Sequence, residues 1–302
     1  MPRHLYPMLF MLISTFSLSL TGLTTKFLAQ SIDSNLLTLL RFLVPAMILW
    51  LFFLGVKARV PERALLRPLW VRAFCISASQ VCFIYSLNHL TLVESMVLFG
   101  TGPLFIPLLE KLIFGVSFHY STLAGLLLTF AGVVLLAANG DEWVMRPALL
   151  VGLASGLFNA GSQLSLYRAS KSSLNAFEIN FWTFSIAALF ALPLVVITGA
   201  GGAPLMTTEV NAYWLVMLVV VMSLLIITTQ VNRSKAYRLA QSGSQLAPLI
   251  FTNVLFSAIW QGLFFDVTFT EHQLLGLVLI VAASSLNILL PRCLAYLQLR
   301  HS

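Results

Sequence analysis

The sequence predicts an all-α membrane protein of ten transmembrane helices, arranged as two inverted five-helix repeats. Three observations predict it. The 302 residues are 59% hydrophobic and only 9% charged, whereas soluble domains carry about 25% charged residues, so too little polar material is present to coat a water-facing surface. Ten apolar segments each approach the ~20 residues a helix needs to cross hydrocarbon. The second half of the chain also repeats part of the first.

The spans follow in order. Tyr6–Ala29 is longer than the apolar region of a signal peptide, and no small-residue cleavage site ends it, so it reads as a retained helix. Asn35–Leu54, Leu69–Leu87, Thr91–Phe114 and Ser121–Ala138 complete a first unit, residues 1–141. Pro147–Arg168, Leu174–Thr198, Ala212–Lys235, Ser242–Phe265 and Gln273–Leu290 make up the second, residues 142–302. The longest connections, Gly55–Pro68 and Gly199–Asn211, leave no room for a soluble domain.

Charge sets the expected orientation, because cytoplasmic loops collect Lys and Arg. With both termini cytoplasmic, 14 of the 17 basic residues fall on the cytoplasmic side, Arg72 and Arg233 among them. Lys26 and Arg146 lie near the other side, and Arg41 is inside a span. The net charge of +7 is therefore an orientation signal and not a nucleic-acid footprint. Cys75, Cys82 and Cys293 form no CxxC or metal pattern and read as small core residues.

An offset of 151 residues lays segment 98–131 on segment 249–282 with 13 of 34 positions identical, Thr101/Thr252 and Gly125/Gly276 among them. Chance in so apolar a composition gives about four. The match runs through a loop, residues 114–118 against 265–269, which shared hydrophobicity does not explain. An offset of 139 aligns the first two spans of each half more weakly, placing Gly22 on Gly161 and Phe42 on Phe181. Five spans per half is odd, so the second half enters the membrane from the opposite side, a recurring plan of secondary transporters with the substrate near the midplane.

On these residues the chain resembles the EamA-type transporters of the drug/metabolite transporter superfamily. The resemblance rests on the five-plus-five plan and on the end of each half: Gly100-Thr101-Gly102-Pro103 in span 4, then Gly125 and Gly132 in span 5, with Gly276 kept in span 10. Val254 stands opposite Pro103, Ala283 replaces the second glycine, and the Gly-Glu pair that often closes spans 4 and 9 of the family is absent. The resemblance implies spans 5 and 10 as scaffold, with the other spans around a central cavity.

Ionisable groups inside hydrocarbon cost about 2.5–3.5 kcal/mol on insertion scales and are candidates for function. Arg41 lies seven residues into span 2, about 10 Å deep. It needs Glu94, backbone carbonyls near Gly102 or an anionic substrate as partner. Glu94 fits either a helix N-terminus or ion coupling, and Lys26 either a snorkelling anchor or a site residue. Glu178 pairs with Lys171 or Arg168 on this reading, and Glu110 and Lys111 form a solvated end. Asn159 and Gln163 are four apart and share a helix face. With Gln230, Tyr85 and the weakened helix at Thr101 and Gly102, they complete the candidate substrate site. Trp182 and Trp260 fit packing or a pocket.

No HExxH, GxSxG or glycine-rich phosphate loop is present. The expectation is thus a secondary transporter, in the export direction, for a small metabolite, amino acid or drug-like compound. It would sit in the inner (plasma) membrane, work by alternating access, and use no catalytic residue, metal or cofactor. The expected partners are a small-molecule substrate, the lipid bilayer and a coupling proton or counter-substrate, with no nucleic acid, in a monomer or homodimer. A channel or lipid scramblase is the alternative reading, ahead of an intramembrane enzyme.

Overall fold

The computed structural model describes residues 5–55, 58–114, 146–201, 211–240, 246–250, 252–265, 270–272 and 274–282, with short pieces between 127 and 143. The first half runs α1 (Leu5–Leu28), α2 (Ser34–Phe53), α3 (Arg63–His89), α4 (Leu92–Phe99) and α5 (Gly102–Phe114). The second runs α6 (Pro147–Ser170), α7 (Ala176–Ala200), α8 (Ala212–Leu239), α9 (Ala247–Ile250) and α10 (Thr252–Phe264). Residues 274–282 are also helical. Among the described residues, α1, α2, α3, α6, α7 and α8 are long and apolar enough to cross a membrane. Residues 138–139 and 142–143 pair as a two-residue antiparallel ladder, Ala138 opposite Trp143 and Asn139 opposite Glu142, a local departure from the all-helical expectation. Most of span 5, including Gly125, and the loops at 115–118 and 266–269 lie outside the described residues.

Local chemistry sets the helix ends. The Asp33 carboxylate accepts from the backbone N–H groups of Asn35 and Leu36, at 2.9 and 3.2 Å, and starts α2. Thr91 with Glu94, and Asn175 with Glu178, form reciprocal capping boxes at the starts of α4 and α7. Span 4 is divided in two at Gly100-Thr101. Pro103 carries no N–H to offer the Phe99 carbonyl four residues back, and glycines on either side of Thr101 hold the chain only weakly in a helix.

The helices of one half pack mainly on those of the other. Among the pairs in contact are α3 with α6, α1 with α8, α2 with α7, and α4 with α10. Exchanging the halves turns the first pair into the second and leaves the third unchanged. Between α2 and α7, Leu39, Leu43, Ala46, Met47 and Trp50 line an apolar groove with Phe181, Ser185, Ala188, Leu189 and Leu192, each 142 residues on. The helix starters Asp33 and Asn175 keep the same interval. This corrects the offset of 139: Leu39, not Phe42, corresponds to Phe181, and Phe42 corresponds to Phe184, its ring neighbour at 6.5 Å. A slip of three residues is nearly one helical turn, so it keeps the same face inward and is nearly invisible in an apolar sequence. For α3 and α8 the interval is 150, fixed by the C-caps Leu90 and Ala240.

Glycine lets the end elements close up. A Cβ on Gly132 would sit 2.5 Å from Ile280 Cγ1 and 2.9 Å from the Gly276 carbonyl oxygen. The last helical stretches of the two halves therefore meet at glycine, as small-residue packing in membranes requires.

Candidate functional site

Between the halves lies a cavity of about 20 Å³, room for a water or two. Its lining draws on seven helices: Leu18 and Thr21 of α1, Arg41 and Phe42 of α2, Ile76 and Gln80 of α3, Phe99 of α4, Asn159 of α6, Phe184 of α7, and Ile226, Thr229 and Gln230 of α8. Three pairs at corresponding positions of the halves contribute to it: Phe42 with Phe184, Ile76 with Ile226 and Gln80 with Gln230. The wall mixes apolar and polar side chains, and two polar tips, Gln80 Oε1 and Thr229 Oγ1, have no hydrogen-bond partner. A buried polar atom left open in a membrane is costly, so the cavity is built to take polar atoms from elsewhere.

Arg41 is 4% exposed and its Nη1 donates to Thr25 Oγ1 and, at 3.9 Å, contacts Met222 Sδ. It has no carboxylate partner among the described residues; of its candidate partners, Glu94 is engaged by Arg146 at 2.7 Å. Asn159 Nδ2 reaches the Phe99 carbonyl at 3.4 Å, the carbonyl that Pro103 leaves unpaired. Gly102 gives that contact room, since a Cβ there would lie 3.2 Å from Asn159 Nδ2. Thr101 Oγ1 donates to the Leu98 carbonyl at 2.6 Å, against Gly156. The broken helix and the polar face of α6 thus form one wall.

The described residues contain no cluster of three His, Cys, Asp or Glu side chains able to hold a metal.

Residues 5–138 match the EamA-like transporter family. The first half is thus similar to the EamA-like transporters, of the drug/metabolite transporter superfamily. The chain is 25% identical over 203 residues to the pseudopaline exporter CntI of Pseudomonas aeruginosa, in strains UCBPP-PA14 and PAO1, with 67% of this chain and 68% of the relative covered. A solved protein crystal structure is similar in fold, with a TM-score of 0.61 at 18% identity over 95% of this chain and 98% of the other. Six helices long and apolar enough to cross a membrane and the match to a transporter family point to a multi-pass membrane protein.

The other predicted site residues lie as follows. Gln163 lies one turn beyond Asn159 on α6 and accepts from the Tyr237 hydroxyl. Lys26 is not in the lining: its Nζ donates to the Leu87 carbonyl and, at 2.7 Å, to the Leu90 carbonyl, closing the C-terminal end of α3. Lys171 does the same for α8 through the Arg238 and Ala240 carbonyls, at 3.0 and 2.8 Å. Tyr85 is 42% exposed and packs tilted against His89, outside the cavity. Trp182 and Trp260 also stay outside, donating to the Arg59 carbonyl and to Ser19 Oγ, each at 3.0 Å. Glu178 meets the backbone N–H of Arg59 at 3.0 Å, not Lys171 or Arg168.

Two functional candidates escaped the sequence reading. Arg72 and Arg233, expected at the cytoplasmic face, are 0% and 2% exposed. The reason is helix length: α3 begins at Arg63, so Arg72 lies nine residues in, about 13 Å along the axis. Arg72 Nη2 donates to Asn180 Oδ1 at 2.8 Å and to Gln230 Oε1 at 3.3 Å, which ties it to the cavity lining. A single charge embedded in the apolar run Leu69–Leu87 was the available signal.

Proposed function

We propose that the chain is a secondary transporter that exports a small metabolite, amino acid or drug-like compound across the inner (plasma) membrane. The two units, residues 1–141 and 142–302, act as inverted five-helix repeats, with both termini cytoplasmic. The observation that carries this reading is the polar cavity at the junction of the halves, walled by seven helices and leaving Gln80 and Thr229 open. A site at a repeat interface is where secondary transporters hold substrate.

The cavity of about 20 Å³ is too small for a metabolite, so it must widen to admit substrate. The Gly100-Thr101-Gly102 break supplies a hinge, because glycine absorbs backbone rotation cheaply. Export is the direction carried by CntI, a relative at 25% identity; the substrate of that relative is not transferred to this chain. Energy comes from exchange or a coupling proton, Glu94 being a candidate carrier.

Everted membrane vesicles with and without the protein, offered a panel of labelled amino acids and metabolites under a proton gradient, test the reading. Saturable uptake of a subset is expected. Equal uptake in both vesicle sets for every compound, with the protein shown to be folded, contradicts it.

A further inference from the structure

Among the described residues the buried cations outnumber the buried carboxylates. Arg41, Arg72 and Arg233 are each more than nine-tenths buried, and none has a carboxylate within ion-pair distance among the described residues. The buried acids are committed elsewhere, Glu94 to Arg146 and Glu178 to Arg59. Nε and Nη1 of Arg72, and Nε and Nη2 of Arg233, have no hydrogen-bond partner. Four guanidinium N–H sites are thus held dry and open in one cluster with Tyr237, which lies within electrostatic reach of both arginines.

The placement follows the repeat. Arg72 in α3 corresponds to Met222 in α8, 150 residues on. Met222 faces Arg41 of α2, whereas Arg72 faces Asn180 of α7. Each of these two related contacts therefore holds one guanidinium, given once by the second helix of its half and once by the third. Arg41 lies toward the start of α2, beside the end of α3 that Lys26 closes, and Arg72 toward the start of α3. They stand on opposite sides of the cavity, with Gln230 linking Arg72 to its wall.

We propose that the cargo is an organic anion whose carboxylate or phosphate group is held by Arg72 with Arg233 on one side of the cavity and by Arg41 on the other. This rests on the transporter reading. Guanidinium presents a planar fork matched to both oxyanions, and in hydrocarbon an unpaired guanidinium persists only where something offsets its cost. The two poles are exchanged as the protein changes its open side: the anion meets one arginine site on entry and the other on exit. The open amide of Gln163 and hydroxyl of Thr229 serve the uncharged part of the cargo.

The test uses the purified full chain in detergent, melted at constant ionic strength with sodium citrate, sodium phosphate or the uncharged propane-1,2,3-tricarboxamide. Citrate or phosphate is expected to raise the melting temperature by several degrees and the amide to leave it unchanged. A rise with citrate alone assigns a carboxylate, and a rise with phosphate alone assigns a phosphate. The shift should vanish in Arg72→Gln, and in Arg233→Gln, while Arg72→Lys, used where the glutamine variant fails to accumulate, keeps a reduced shift. No anion shift in the parent, or an equal shift in parent and Arg72→Gln, overturns the proposal. Counterflow of labelled citrate or phosphate in proteoliposomes separates the two readings. An arginine-dependent shift without counterflow keeps the anion site and sinks transport. Vesicle uptake of a neutral compound unaffected by the arginine variants keeps transport and sinks the anion.

Discussion

Glu94 and Glu178 are buried at opposite ends of the bundle, and each is fully engaged. Each carboxylate closes a capping box, and each meets an arginine group of another segment, Arg146 for Glu94 and Arg59 for Glu178. Arg72 and Arg233 are just as deep, yet they keep two open nitrogens each. The carboxylates end helices; the guanidiniums end nothing, and they stand next to a cavity. Satisfied charge holds this fold together, and unsatisfied charge is held in reserve for a ligand.

The comparison breaks most directly at the arginines. Arg72→Met removes an under-partnered buried charge while keeping an apolar stem. Replacing buried charge by apolar volume is often neutral or stabilising, so stability should stay within about 1 kcal/mol of the parent or rise. Efflux from proteoliposomes should nevertheless fall by about 30-fold or more, the scale of a lost buried charge contact. A large drop in melting temperature would make Arg72 structural.

Glu94→Ala sharpens the other side. It removes an acceptor for the Thr91 N–H and the partner of Arg146, which is about one-third exposed. A loss of about 2 kcal/mol in stability is expected, a cap plus a partly screened pair, read as a lower melting temperature. An unchanged melt would place Glu94 with the reserved charges, as the ion-coupling reading requires. Arg41→Lys keeps a charge but loses the fork that binds an oxyanion through two bonds. Efflux should drop about tenfold with the melt unchanged. The smallest effect belongs to Lys26→Met, which removes a cap on α3: about 0.5 kcal/mol in stability and normal efflux. A transport defect there would return Lys26 to the site.

Much of the fold was legible because membrane helices announce themselves by length and apolarity. The spans at α1, α2, α3, α6, α7 and α8 follow from hydropathy alone, and the break in span 4 from Gly100-Thr101-Gly102-Pro103. Helix register was not legible, since a one-turn slip between α2 and α7 preserves every apolar face. Of the residues singled out, Arg41, Asn159 and Gln230 lie in the cavity lining; polar residues inside apolar runs stand out. Lys26 and Tyr85 stood out equally and lie elsewhere: a long or amphipathic side chain near a helix end reaches a carbonyl or the surface as easily as a cavity. Arg72 and Arg233 were hidden by the opposite error. They fell within three residues of the ends of the predicted spans and were counted with the cytoplasmic charge, whereas α3 already begins at Arg63 and α8 runs on to Leu239.

Alternating exposure of the cavity can be measured at one residue. With Cys75, Cys82 and Cys293 replaced by serine, Asn159→Cys places a single thiol in the lining, next to the broken helix. A membrane-impermeant maleimide is applied to right-side-out and to inverted vesicles, and labelling is followed over time. Modification from both sides is expected, because each open state exposes the cavity to one face. A thiol that labels from one face only, or from neither in folded protein, would contradict alternating access through this cavity.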